Sequence, residues 1–170
     1  MGKAVYEASV SRGATQQPEL DLGLPPRPVT RAMRKSRHSE TMESVAEFHR
    51  LFGLPMASRP QRTVDATLAQ LRIDLLVEEV GEFQDATAAA DTVAIADALA
   101  DIVYVAYGAA ITYGIDLDAV VREVHRSNLS KLGLDGRPVR RADGKILKPS
   151  TYRPPNVDAV LLDQPPLFLD

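Results

Sequence analysis

The chain has 170 residues, a net charge of −3, a pI near 5.6, 45% hydrophobic residues and no cysteine. The missing cysteine excludes disulfides, thiolate metal sites and cysteine nucleophiles together, and the mild acidity excludes the strongly basic face of a dedicated nucleic-acid binder. One domain with a real core fits this length; two do not.

Residues 1–39 carry Pro, Gly, Gln and Ser with scattered charge and no sustained period, which predicts a flexible tail. The acids Glu7, Glu19 and Asp21 argue against a transit peptide, and the basic start and apolar block of a secretory signal are missing. No apolar run is expected to reach the roughly 18 residues that a membrane helix needs. A cytoplasmic location without a membrane partner is the expectation.

Order is expected from residue 40 to residue 158. Ser39 or Thr41 caps a first helix bearing Val45, Phe48 and Leu51, and Gly53 with Pro55 ends it. A second helix is predicted from Thr63 to about Ala90. At about 100° per residue, Leu68, Leu71 and Leu75 share an arc that continues onto Glu82, flanked by Glu78 and Glu79. Acids stand where the apolar stripe is due.

After the Asp91-Thr92 link, the third helix is apolar on nearly every face and stops at Gly114, so it is expected to be buried on all sides. A fourth helix starts at an Asp116 cap and runs to Gly133, and Asp143-Gly144 marks a tight turn in the basic loop that follows. No convincing alternating strand interrupts this body. Four helices with short links predict an all-α bundle, and residues 159–170 are expected to form a C-terminal tail.

The chemistry concentrates on helices two and three. Asp97 and Asp101 lie one turn apart within Val, Ile, Leu, Ala and Tyr, and carboxylates buried there need compensating positive charge. In an antiparallel helix pair they converge with the three Glu residues. All-oxygen ligands select hard cations, Mg²⁺ or Mn²⁺. A di-iron bundle needs Glu-x-x-His, but Ala46 precedes His49 and Arg122 precedes His125 by three residues. Asn128 and Lys131 are expected on the inner side of helix four after Val121 and Val124, and Arg140, Arg141, Lys145, Lys148, Tyr152 and Arg153 supply donors for a polyphosphate. Without a Walker or Gly-x-Ser-x-Gly signature, a metal-activated water is the expected nucleophile.

The segment Glu78-Glu79-x-x-Glu82 followed by "DALAD" resembles the paired acidic signature of the all-α NTP pyrophosphatases. The run through "HRSNLSK" to "RRADGKILKP" resembles their compact MazG-like subgroup, with coverage of about residues 43–158. One position departs from the pattern: Ala98 stands where the family has Glu, with Asp97 beside it.

The resemblance implies a helical bundle of four main helices completed by oligomerisation, as a homodimer or tetramer. It also implies Mg²⁺-dependent hydrolysis of a nucleoside triphosphate to monophosphate and pyrophosphate. By that analogy Glu78, Glu79, Glu82, Asp97 and Asp101 bind metal, and Glu79 is the general base. Asn128, Lys131, Lys145, Lys148 and Tyr152 hold phosphates or sugar. Apart from the analogy, Phe48 and His49 of the first helix are candidates to stack on or hydrogen-bond the base, with core packing the alternative for Phe48. A non-catalytic nucleotide-sensing or dimerisation module is the alternative. Two segments, Gln164–Leu169 and Gln17–Leu22, also resemble peptides that bind sliding clamps.

Overall fold

Capping chemistry divides the chain into five helices in the computed structural model, which describes residues 37–168: α1 Glu40–Leu51, α2 Ala66–Ala88, α3 Thr92–Thr112, α4 Leu117–Leu129 and α5 Val157–Leu162. Each begins at a residue whose side chain accepts from the first turn: Ser39, Asp65, Asp91, Asp116 and Asn156 in order. Such a cap contributes about 1 kcal/mol. Gly114 ends the turn after α3 at φ +72°, and a Cβ there would lie 2.0 Å from the Arg59 carbonyl oxygen. Only glycine fits both the backbone angle and the approach.

The link of Ala89, Ala90 and Asp91 makes α2 and α3 an antiparallel hairpin, the most extensive helix pair, and α1 packs on α3. Met42, Val45 and Ala46 of α1 are buried against Ile111 of α3 and Leu167, with Met56, Tyr104, Tyr107 and Phe168 around them. No strand forms among the described residues. Asp143-Gly144 does close a turn, with an isolated bridge between Arg140 and Ile146.

Three expectations change. The inward stripe of α2 is Leu68, Arg72, Leu75, Leu76, Glu79, Phe83 and Ala86, of which Arg72 and Ala86 are buried and the rest half-buried, whereas Leu71 and Glu82 are exposed. The acids do not replace the stripe as a block; only Glu79 lies on it. Second, α3 is not buried on all sides, since α1 and α2 cover only part of it and leave Val93, Leu99 and Val103 exposed. Third, by length and composition α3 is apolar enough to cross a bilayer, contrary to the expectation that no run reaches that length. Its two mid-helix carboxylates oppose insertion by about 2.5–3.5 kcal/mol each.

Helix α4 packs principally on α5, and Val121 and Val124, expected on an inner side, are exposed. Its N-terminus is fastened by Asp118, which accepts from the Ser39 backbone N–H at 2.6 Å and from the Tyr107 hydroxyl at 2.7 Å. The chain's last described stretch is fastened as well. Gln164 is buried, donates to the Gly114 carbonyl at 2.8 Å and accepts from the Asp116 N–H at 2.8 Å, and Leu167 is buried in the α1 core. In the clamp-type peptide at 164–169, Gln164 and Leu167 are therefore engaged within the fold; its Leu169 and the whole of Gln17–Leu22 lie outside the described residues.

Candidate functional site

The register of the α2–α3 hairpin brings the acidic motifs together. A Cβ on Gly108 would lie 3.6 Å from Arg72 Nη1, so position 72 faces position 108. Seven residues on from Arg72 and seven back from Gly108 stand Glu79 and Asp101, and an antiparallel pair sets them opposite each other. Both are half-buried, while Glu78, Glu82 and Asp97 are exposed beside them.

Electrostatics supports the same arrangement. Glu79 is held above the ordinary carboxylate range, first by burial and then by Asp101, Glu82, Glu78 and Asp97. Four acids press on one. Among the described residues no three or more acidic or imidazole side chains are gathered closely enough to hold a metal ion. The donor set is all carboxylate oxygen, which fits a hard divalent cation. Ala98, at the position of the missing Glu, is 2% exposed, so the seam closes there with a methyl. Asp97 points about 100° away around the helix.

A second group gathers at the C-terminal end of α4. Lys131 Nζ donates to Asn128 Oδ1 at 2.7 Å, Lys148 Nζ sits 4.6 Å from the centre of the Tyr152 ring, and the Tyr152 and Ser127 hydroxyls are 3.4 Å apart. The Ser127 hydrogen bond, with the charges of Lys148 and Lys131, pulls the Tyr152 phenol below its ordinary value. Asn128, Lys131, Lys148 and Tyr152 are thus one cluster. Lys145 stands apart in the Asp143-Gly144 turn, its backbone N–H donating to Asp143. Arg141 is engaged by Asp143 in an ion pair.

The residues expected to face a base divide differently. Phe48 is partly exposed, stacked on Phe52 at 4.2 Å and edge-on to Tyr104 at 5.8 Å between centroids. His49 is 2% exposed, its Nδ1 3.1 Å from the Pro55 carbonyl. A carbonyl only accepts, so Nδ1 carries the proton. Burial lowers the imidazole pKa, opposed by the Pro55 hydrogen bond and reinforced by the charge of Arg72.

Sequence reasoning missed Arg72, which is buried with Nε unpartnered among the described residues. The signal for it was its seven-residue spacing from Glu79, which puts both on one helix face.

A capped α2–α3 hairpin that presents these paired acids from its seam is the core of an NTP pyrophosphatase-type fold. Residues 45–128 are a domain of the MazG-like all-α NTP pyrophosphatase superfamily, matching the family described as phosphoribosyl-ATP pyrophosphohydrolase. The chain is also 35% identical over 106 residues to "Uncharacterized protein L479" of Acanthamoeba polyphaga mimivirus. That match covers 61% of this chain and 40% of the viral protein, so the chain spans less than half the length of this relative.

Proposed function

We propose that this chain hydrolyses a nucleoside triphosphate at the α–β bond, releasing monophosphate and pyrophosphate, with Mg²⁺ or Mn²⁺ as cofactor and clearance of dUTP or a non-canonical deoxynucleotide as its service. The carrying observation is the half-buried Glu79 in the field of four other carboxylates, a charge arrangement that calls for a divalent cation. The family match supports pyrophosphohydrolase chemistry on a nucleotide-like substrate.

Glu78, Glu82, Asp97 and Asp101 would hold the cation together with Glu79. Once bound, the ion supplies neutralisation of phosphate charge and a lowered pKa for the attacking water. Glu79 orients that water and accepts its proton at a carboxylate oxygen, a role that asks only for acceptance from a water already made acidic. The cluster of Lys131, Asn128, Lys148 and Tyr152 donates to phosphate and sugar oxygens, with Lys145 as a further donor from the turn. Phe48 and His49 line the base end.

The same reading includes a homodimer or tetramer. Ile73, Val77 and Val80 of α2 are 53%, 66% and 43% exposed and line an open apolar groove with Leu76, Gly81 and Gln84. A second copy would cover this face and the exposed side of α3.

The test is incubation with Mg²⁺ and a panel of canonical, deoxy and modified triphosphates, with products separated by chromatography. Monophosphate with pyrophosphate is the expected outcome. Release of orthophosphate, or no turnover of any member, would overturn the reading.

A further inference from the structure

Two side chains from two helices meet over a glycine of a third, away from the acidic patch of the proposed catalysis. Helices α1 and α2 each contribute a side chain over α3 at Gly108, where a Cβ would come 3.2 Å from His49 Nε2 and 3.6 Å from Arg72 Nη1. Glycine here leaves room for both. Arg72 is 7% exposed, and its Nε–H has no hydrogen-bond partner among the described residues. None of the ion pairs among those residues involves it. A guanidinium Nε–H buried this way gives up hydration without replacement, which points to a ligand group that completes it.

The neighbouring imidazole narrows the ligand. With its Nδ1 proton engaged by Pro55, neutral His49 offers a bare lone pair at Nε2. Arg72 offers only donors. The site therefore sets an unused donor beside an unused acceptor. A phosphate or carboxylate presents acceptors alone, so it would satisfy Arg72 and leave a lone pair facing His49. A nucleobase edge carries both kinds of group side by side. The location agrees: position 72 stands seven residues from Glu79, about 10 Å along the helix, a separation suited to a base whose phosphates lie at the acidic patch. The Phe48 and Tyr104 rings are on the same two helices as His49 and Gly108.

We propose that Arg72, with His49 Nε2 across Gly108, reads the hydrogen-bonding edge of the substrate's nucleobase. This rests on the nucleotide-hydrolysis reading for the class of ligand, and it adds a specificity-determining residue that the acidic motif does not contain. Arg72 donates to a carbonyl oxygen or ring nitrogen of the base, and His49 Nε2 accepts from the adjacent N–H.

Calorimetric titration of the full chain tests this without turnover. The probes are the nucleoside 5′-monophosphates of each base, ribose 5-phosphate as the base-free control, and inorganic tripolyphosphate, all with Mg²⁺. At least one monophosphate is expected to bind tenfold or more tightly than ribose 5-phosphate. Arg72→Gln should remove that increment while tripolyphosphate affinity stays within twofold. Gly108→Ala, which places a methyl group over His49 Nε2 in a helix that favours Ala, should do the same and decides the matter if Arg72→Gln fails to fold. Retention of the base increment in Gly108→Ala, or no increment in the parent chain, would overturn the proposal. A preserved increment with no hydrolysis of any triphosphate would instead sink the hydrolytic reading and leave this one standing.

Discussion

Glu79 differs from its neighbours by one turn of geometry: it sits on the seam of α2, and Glu78 and Glu82 do not. Removing its charge while keeping its shape should separate chemistry from folding. Glu79→Gln is expected to lower turnover by at least the 10²-fold typical of a lost general base, with an unchanged helical circular dichroism spectrum; wild-type activity would remove Glu79 from the mechanism. The pH dependence of stability follows from the same residue. Its folded pKa is raised, so the folded state holds a proton that the unfolded chain has released, and stability falls as pH rises from the unfolded value through the folded one. In chelator, Glu79→Gln should therefore melt above the parent chain at pH 7, and the gap should close as pH drops toward 4. Added Mg²⁺ should raise the parent's melting temperature and leave the variant's nearly unmoved.

Among the elements, the α3–α4 turn is held from both sides. Burial alone would raise the Asp118 pKa, but hydrogen bonds from the Ser39 backbone and the Tyr107 hydroxyl hold it below the ordinary range. That stabilisation is present above the unfolded value and is lost as pH falls through the folded one. Gln164→Ala should cost about 1–3 kcal/mol in denaturant melts, because it orphans a buried N–H and a buried carbonyl. Element positions were legible in the sequence because capping acids and terminal glycines mark ends by local chemistry. Ser39 and Asp116 cap the helices expected of them, and Asp91 of the expected link caps α3. Which face of α2 turns inward was not legible. Leu68, Leu71 and Leu75 suggested one arc ending on Glu82; Leu68 and Leu75 do turn inward, but the face is rotated so that Arg72 is buried and Glu79 half-buried while Leu71 and Glu82 stay exposed. The aliphatic residues left outside fit the proposed assembly, which single-chain periodicity cannot reveal. The acidic pairing was legible for the same local reason as the caps. The Arg72–His49 meeting was not, since it depends on three helices closing over Gly108.

For the whole molecule, the unburied flank of α2 and α3 carries the assembly reading. Val77 is 66% exposed in the apolar groove of α2, so Val77→Lys should leave the monomer fold intact and shift light-scattering mass to that of one chain. An unchanged mass above one chain would move the interface elsewhere. The C-terminal fastening bears on how the chain is made as well as on how it stands. Gln164 bonds to Gly114 across 50 residues, and Leu167 reaches back to the α1 core. At about 5–20 residues per second, the ribosome finishes Gln164 roughly 3–10 s after Gly114. For that interval the most apolar helix of the nascent protein waits without its latch, a window in which chaperone capture competes with folding and a stalled ribosome would leave the chain open.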